Sequence, residues 1–132
     1  MTQEPTSPQG IARIGAIILA AECLALLVLA GVQVVDLAIG DVRDVVSGIA
    51  LIVLTVVAAA AVGAFAAATW RGASWGRSGG IVTQLMILAI AVGAVSGAYA
   101  QPLTGILLAV PAIAGFVVLV LAVRQAGTSR RP

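Results

Sequence analysis

The sequence predicts an all-α membrane protein, an up-down-up-down bundle of four transmembrane helices. Three observations predict it: the chain holds four long apolar stretches, those stretches carry almost no charge, and only short polar links separate them. Of 132 residues, 61% are hydrophobic and 9% charged, whereas a soluble globular domain has roughly 25% charged residues. The mean hydropathy is +1.17. A water-soluble chain of this length could not hide so much apolar surface, because small domains leave a large share of their surface exposed. Lipid is the solvent that this composition fits. The length allows one compact bundle and no separate soluble domain.

Residues 1–10 are polar, with two prolines and a glycine, and read as a disordered tail. The four apolar stretches fall at about 11–35, 45–69, 81–100 and 105–123. Each approaches or exceeds the roughly 20 residues that cross about 30 Å of hydrocarbon. Together they form one domain over 11–123, followed by a second polar tail at 124–132. The first stretch reads as a retained helix and not as a cleaved signal peptide. It is too long for a signal h-region, and the tail before it carries Glu4 in place of a basic cluster. Glu22 immediately before Cys23 also argues against lipoprotein cleavage. The links at 36–44, 70–80 and 101–104 are short, which makes consecutive helices antiparallel neighbours.

The arginines set the orientation. Arg13, Arg71, Arg77, Arg124, Arg130 and Arg131 fall on one side; Arg43 falls on the other with Asp36, Asp41 and Asp44. Arginine-rich short loops stay in the cytoplasm, so both termini and the 70–80 link are expected there, in a bacterial cytoplasmic membrane. The complete absence of lysine, with abundant alanine, valine and glycine, fits a high-GC bacterial genome.

Composition also excludes chemistry. There is no histidine, which removes the commonest metal ligand and general base. Cys23 is the single cysteine, so no intrachain disulfide can form. No cofactor or metal is expected. Asp41 and Asp44 are placed to cap the second span, and their spacing with Asp36 fits no calcium loop. The Asp41-x-x-Asp44 pair also lacks the following glycine and third aspartate of a lipid-alcohol phosphotransferase. Residues 72–78 are one residue short of a phosphate loop and carry arginine where lysine belongs. The basic residues are few and line a membrane surface, so nucleic acid is not an expected partner.

Glu22 is the residue that the bilayer makes expensive. It lies about 15 Å inside the first span. An ionised, unpaired carboxylate there costs several kcal/mol, so the side chain must face the bundle interior or a wet cavity. It reads either as a proton-coupling or ligand-binding group, or as a structural acid hydrogen-bonded to a neighbouring helix. Thr55, at similar depth in the second span, is one candidate partner, and backbone carbonyls of another subunit are an equal alternative. Gln84, with Thr83 in the first turn of the third span, could bond across helices, in one candidate proton, ligand or interhelix site with Glu22 and Thr55, or face the headgroups; interfacial packing is the favoured reading. Trp70, Arg71, Trp75 and Arg77 share the 70–80 link; they read as a membrane anchor meeting anionic headgroups, or as a docking loop for a partner. Small residues recur every four positions, at Ala12, Ala16 and Ala20, at Ala59, Gly63 and Ala67, and at Ala89, Gly93 and Gly97, and are expected to pack the bundle. Pro111 should bend the fourth helix.

The run Arg71-Gly72-x-x-Trp75-Gly76-Arg77-Ser78, followed by Thr83-Gln84-Leu85, resembles a pattern in an uncharacterised family of small four-span membrane proteins of high-GC Gram-positive bacteria. The resemblance implies the four-span layout and no activity. Gly15-Ala16-Ile17 and Leu19-Ala20-Ala21-Glu22 are locally similar to the first span of small multidrug-resistance transporters, which implies a functional role for Glu22 in a homodimer. The chain departs from that family in two ways. Its third span has only Tyr99 as an aromatic, and its arginine bias is strong. The sequence therefore leads to a non-enzymatic accessory or assembly protein, acting through helix–helix and cytoplasmic-loop contacts with a membrane-protein partner or a second copy of itself. The alternative is a small proton-coupled transporter.

Overall fold

The computed structural model describes residues 8–130. Of the expected tails at 1–10 and 124–132, residues 1–7 and 131–132 with Arg131 lie outside them, while 8–10 and 124–128 are helical, because the first and last helices run past their apolar stretches. Four helices follow in order: α1 (Pro8–Ile39), α2 (Val45–Trp70), α3 (Ser74–Ser96) and α4 (Pro102–Thr128). All four are long and apolar enough to cross a membrane. The chain is an all-α, multi-pass integral membrane protein.

The turns are built by specific caps. After α1, Gly40 takes φ +77°. Its N–H donates to Leu37 O, and the next N–H, of Asp41, donates to Asp36 O. This paired closure satisfies the last free carbonyls of the helix and needs a left-handed residue, which glycine supplies without steric cost. The same device closes α2. Gly72 takes φ +79°, its N–H donates to Thr69 O, and the N–H of Ala73 donates to Ala68 O. Asp41 thus belongs to the end of α1 and does not cap α2. That role falls to Asp44 alone, whose side chain accepts from the Ser47 N–H at 2.8 Å and from the Ser47 hydroxyl. Those two bonds favour the ionised form and hold the Asp44 carboxyl below its ordinary range.

Helix α3 differs most from expectation. It begins at Ser74, seven residues before the expected start at 81, so the link after α2 is a three-residue turn. The apolar run starts only at 81, and glycines 76, 79 and 80 before it are poor helix formers. Packing explains why they stand in a helix. A Cβ on Gly76 would strike the backbone N of Thr69, one on Gly79 the ring of Phe65, and one on Gly80 would lie 2.9 Å from both Leu19 and Leu119. The missing side chains let α3 seat against the rest of the bundle. Helix α4 also starts earlier, at Pro102, a favoured residue for the first turn, and it continues through Pro111.

Helix α1 packs chiefly on α2, and α3 on α4; α1 with α4 and α2 with α3 close the ring, while α1 and α3 face each other across its diagonal. Small residues fill much of the interior: Ala16, Ala59, Ala91 and Ala112 are buried. Leu19 and Leu119 are fully buried and form the core with Val62 and Ala66. The large side chains Leu24, Val28, Leu54 and Val57 point outward. This arrangement suits lipid, where helix association comes from close packing and not from hiding apolar groups from water. The small-residue repeats divide accordingly. Ala12, Ala16 and Ala59 are buried, but Ala89, Gly93 and Gly97 are exposed, and Gly93 has nothing within 4 Å of where a Cβ would sit. The α3 repeat therefore faces away from the bundle, contrary to expectation.

Gly105 gives the matching test. A Cβ there would lie 3.0 Å from Ala91 O and nearer still to the Val95 side chain. Gly105→Val is expected to lower stability by about 1–3 kcal/mol through overpacking. Gly93→Ala should be neutral or slightly stabilising, with thermal unfolding in detergent as the measurement for both.

Candidate functional site

The early start of α3 changes the meaning of Gln84. Counted from Ser74, Gln84 lies about 15 Å into the helix, not in its first turn. Helices α1 and α3 run in the same direction, so this depth brings Gln84 opposite Glu22. The Gln84 Nε2 donates to both carboxylate oxygens of Glu22, at 3.0 Å and 2.9 Å. The bond crosses the diagonal of the bundle, where few other residues of α1 and α3 meet. Gln84 is fully buried and Glu22 half-buried. Gln84 is thus an interior residue that bonds across helices, the less favoured of its two readings, and not an interfacial one.

Each neighbouring helix shapes this layer. On α4, a Cβ on Gly115 would sit 2.8 Å from Gln84 Cδ, so the glycine leaves room for the carboxamide. On α2, Ala59 O accepts a hydrogen bond from Cys23 Sγ at 3.2 Å. Thr55 is buried, but its hydroxyl donates to Leu51 O on its own helix at 2.8 Å, so it is not the partner of Glu22. Threonine readily returns its hydroxyl to the carbonyl one turn earlier, so similar depth alone does not make it a partner. Gln84 Oε1 is buried without a hydrogen-bond partner among the described residues. The pair fixes a carboxyl group in place. It supplies no second acid–base group, since the amide does not titrate.

A second polar region lies where α1 and α3 begin and α2 and α4 end. The four residues expected to share one loop are divided there. Trp70 closes α2, Arg71 starts the turn, and Trp75 and Arg77 lie in the first turn of α3. Trp70, Arg71 and Trp75 are exposed. Arg77 is not: it is only 7% exposed, and its Nη1 donates to Gly72 O at 3.0 Å. Trp75 meets Phe65 edge to face, with ring centres 6.1 Å apart. The Arg13 guanidinium lies 5.1 Å from the centre of the Trp70 ring, a cation–π arrangement. Arg13, Arg71, Arg77 and Arg130 line a cleft of about 740 Å³ at this end. Charge counting assigns these arginines to one side of the membrane, but their convergence depends on the fold, because they come from α1, the α2–α3 turn, α3 and the end of the chain beyond α4. At the opposite end, Asp36, Asp41 and Asp44 do not gather into a cation-binding group.

No protein-family model, curated protein or solved structure matches the chain.

If Gln84 holds Glu22 structurally, Gln84→Leu should lower stability by about 1–2 kcal/mol, the range of interhelical hydrogen bonds in lipid. Glu22→Gln should be tolerated within about 1 kcal/mol, because an amide still bonds an amide. Unfolding of purified protein in mixed micelles measures both.

Proposed function

We propose that the chain is a non-enzymatic accessory or assembly protein of a bacterial cytoplasmic membrane. It acts by contact, through its lipid-facing helix surfaces and the turn that joins α2 to α3. The observation that carries this reading is the closure of Glu22 by Gln84. A proton-coupled carrier needs its carboxyl group free to meet substrate and solvent in turn. Here both carboxylate oxygens are engaged by one buried amide on the far side of the bundle, and the arginine-lined cleft does not include Glu22. Exposed polar groups lie at both ends, but the arginines and indoles gather at one of them. By the positive-inside rule, that end faces the cytoplasm. The exposed Trp70 and Trp75 there suit the headgroup level and present flat aromatic surface beside positive charge.

Capture from native membranes tests the reading. With a tag at the C-terminus and extraction in mild detergent, a distinct membrane protein should co-purify in fixed stoichiometry. Trp75→Ala should weaken that association, and Glu22→Gln should leave it intact. The transporter alternative predicts the reverse: recovery as a homo-oligomer, and proton flux in liposomes that Glu22→Gln abolishes while the fold survives.

A further inference from the structure

The arginine-lined cleft carries more positive charge than the fold requires. Two helix N-termini and two helix C-termini meet at this end. Their partial charges, about +0.5 and −0.5 each, cancel. The positive charges of Arg13, Arg71, Arg77 and Arg130 are left over. Among the described residues no acidic side chain lies there, since Glu22 is farther down the bundle and Asp36, Asp41 and Asp44 are at the opposite end. The cleft wall also contains an unpaired polar group. Thr69 is fully buried, lines the cleft, and its hydroxyl has no hydrogen-bond partner among the described residues. Arg77, itself more than nine-tenths buried, commits one of its five N–H donors to Gly72 O. Buried donors facing a cleft with this excess charge fit a group rich in anionic oxygen; arginine forks match carboxylate and phosphate, and at the headgroup level of a membrane phosphate is the group supplied.

A second cleft says what the phosphate is attached to. An apolar groove of about 380 Å³ runs between α1 and α2, lined by Ala16, Ala20, Cys23, Gly63 and Ala67, with Trp70 at its mouth. Trp70 lines both clefts. From Ala16 to Cys23 the groove covers about 10 Å along α1. Small residues leave it open: Ala20 and Ala67 are exposed, and nothing from α3 or α4 lines it. A charged pocket at headgroup level that continues into an apolar channel through one indole matches an amphiphile with a phosphate head.

The geometry points to a binding site for one anionic phospholipid, its phosphate among the arginines and Thr69, and one acyl chain in the α1–α2 groove. Arg13, stacked on Trp70, sits at the junction between head and chain. This site stands independently of any protein partner.

Native mass spectrometry of the full chain, released from bilayer nanodiscs, tests it. From phosphatidylglycerol-containing discs the protein should retain one lipid; from pure phosphatidylcholine discs it should retain none. Arg77 is buried and its loss could harm the fold, so the variant of choice is the triple change R13Q/R71Q/R130Q, all at exposed positions. It should weaken retention on the order of a hundredfold, from three charges near an anionic group, with an unchanged melting curve. Filling the groove with A20L/A67L should weaken retention of the long-chain lipid. Equal retention of phosphatidylcholine, or full retention by the folded triple variant, would overturn the proposal. Displacement of the lipid by inorganic phosphate, with A20L/A67L behaving as wild type, would also overturn it by showing a site for free phosphate.

Discussion

The bundle is organised by one hydrogen-bonded pair, because a carboxyl group in a bilayer interior cannot be left alone. Glu22 on α1 must meet a donor, and the donor it meets is Gln84 on α3, across the diagonal. That geometry fixes several other features. Helix α3 must reach deep enough to present Gln84 at the level of Glu22, which its start at Ser74 provides. Gly115 must lack a side chain so that the carboxamide fits against α4. The adjacent layer of Leu19, Leu119 and Gly80 can then close tightly beneath it. Apolar packing in lipid is weakly directional; a polar pair at the centre selects one register among many of similar packing quality.

Charge and chemistry are displaced to the ends. Asp44 starts α2, while the arginines gather where α1 and α3 begin. The interior is built mainly from alanine, glycine and a few large aliphatic residues. Surface-exposed indoles and guanidinium groups are therefore the parts of the molecule best placed to recognise anything outside it. A contact protein needs no more than this, and the rigid helix pair beneath Trp70 holds the recognition groups in place.

The fold class was legible because bilayer thickness translates directly into helix length and composition. Helix boundaries were less legible, and the reason lies in particular residues. Glycines 76, 79 and 80 have two opposed meanings: they weaken an isolated helix, yet they permit a close approach to Ala68, Phe65 and Leu119. Only the tertiary contacts decide between those meanings. With the apolar part of the third span starting at 81, Gln84 reads as a first-turn residue, so its amide stands between an interhelical bond and the headgroups, and Thr55 stands beside another subunit's carbonyls as a candidate partner of Glu22. The cost of burying Glu22 was legible; Gln84 was legible only as one candidate among several for its donor. Likewise the side of the membrane shared by the arginines followed from charge counting, but the burial of Arg77 and the unpaired hydroxyl of Thr69 depend on neighbours that are distant in sequence.

The central claim is that the Gln84 carboxamide rests on the Glu22 carboxyl group inside the bilayer. Solid-state NMR can measure this directly, with ¹⁵N at the Gln84 side-chain amide and ¹³C at the Glu22 carboxyl carbon in reconstituted protein. A hydrogen-bonded pair places these nuclei about 3.5 Å apart, so strong dipolar dephasing is expected. Absence of dephasing, with the helices intact, would contradict the account and return Glu22 to solvent, lipid or another subunit.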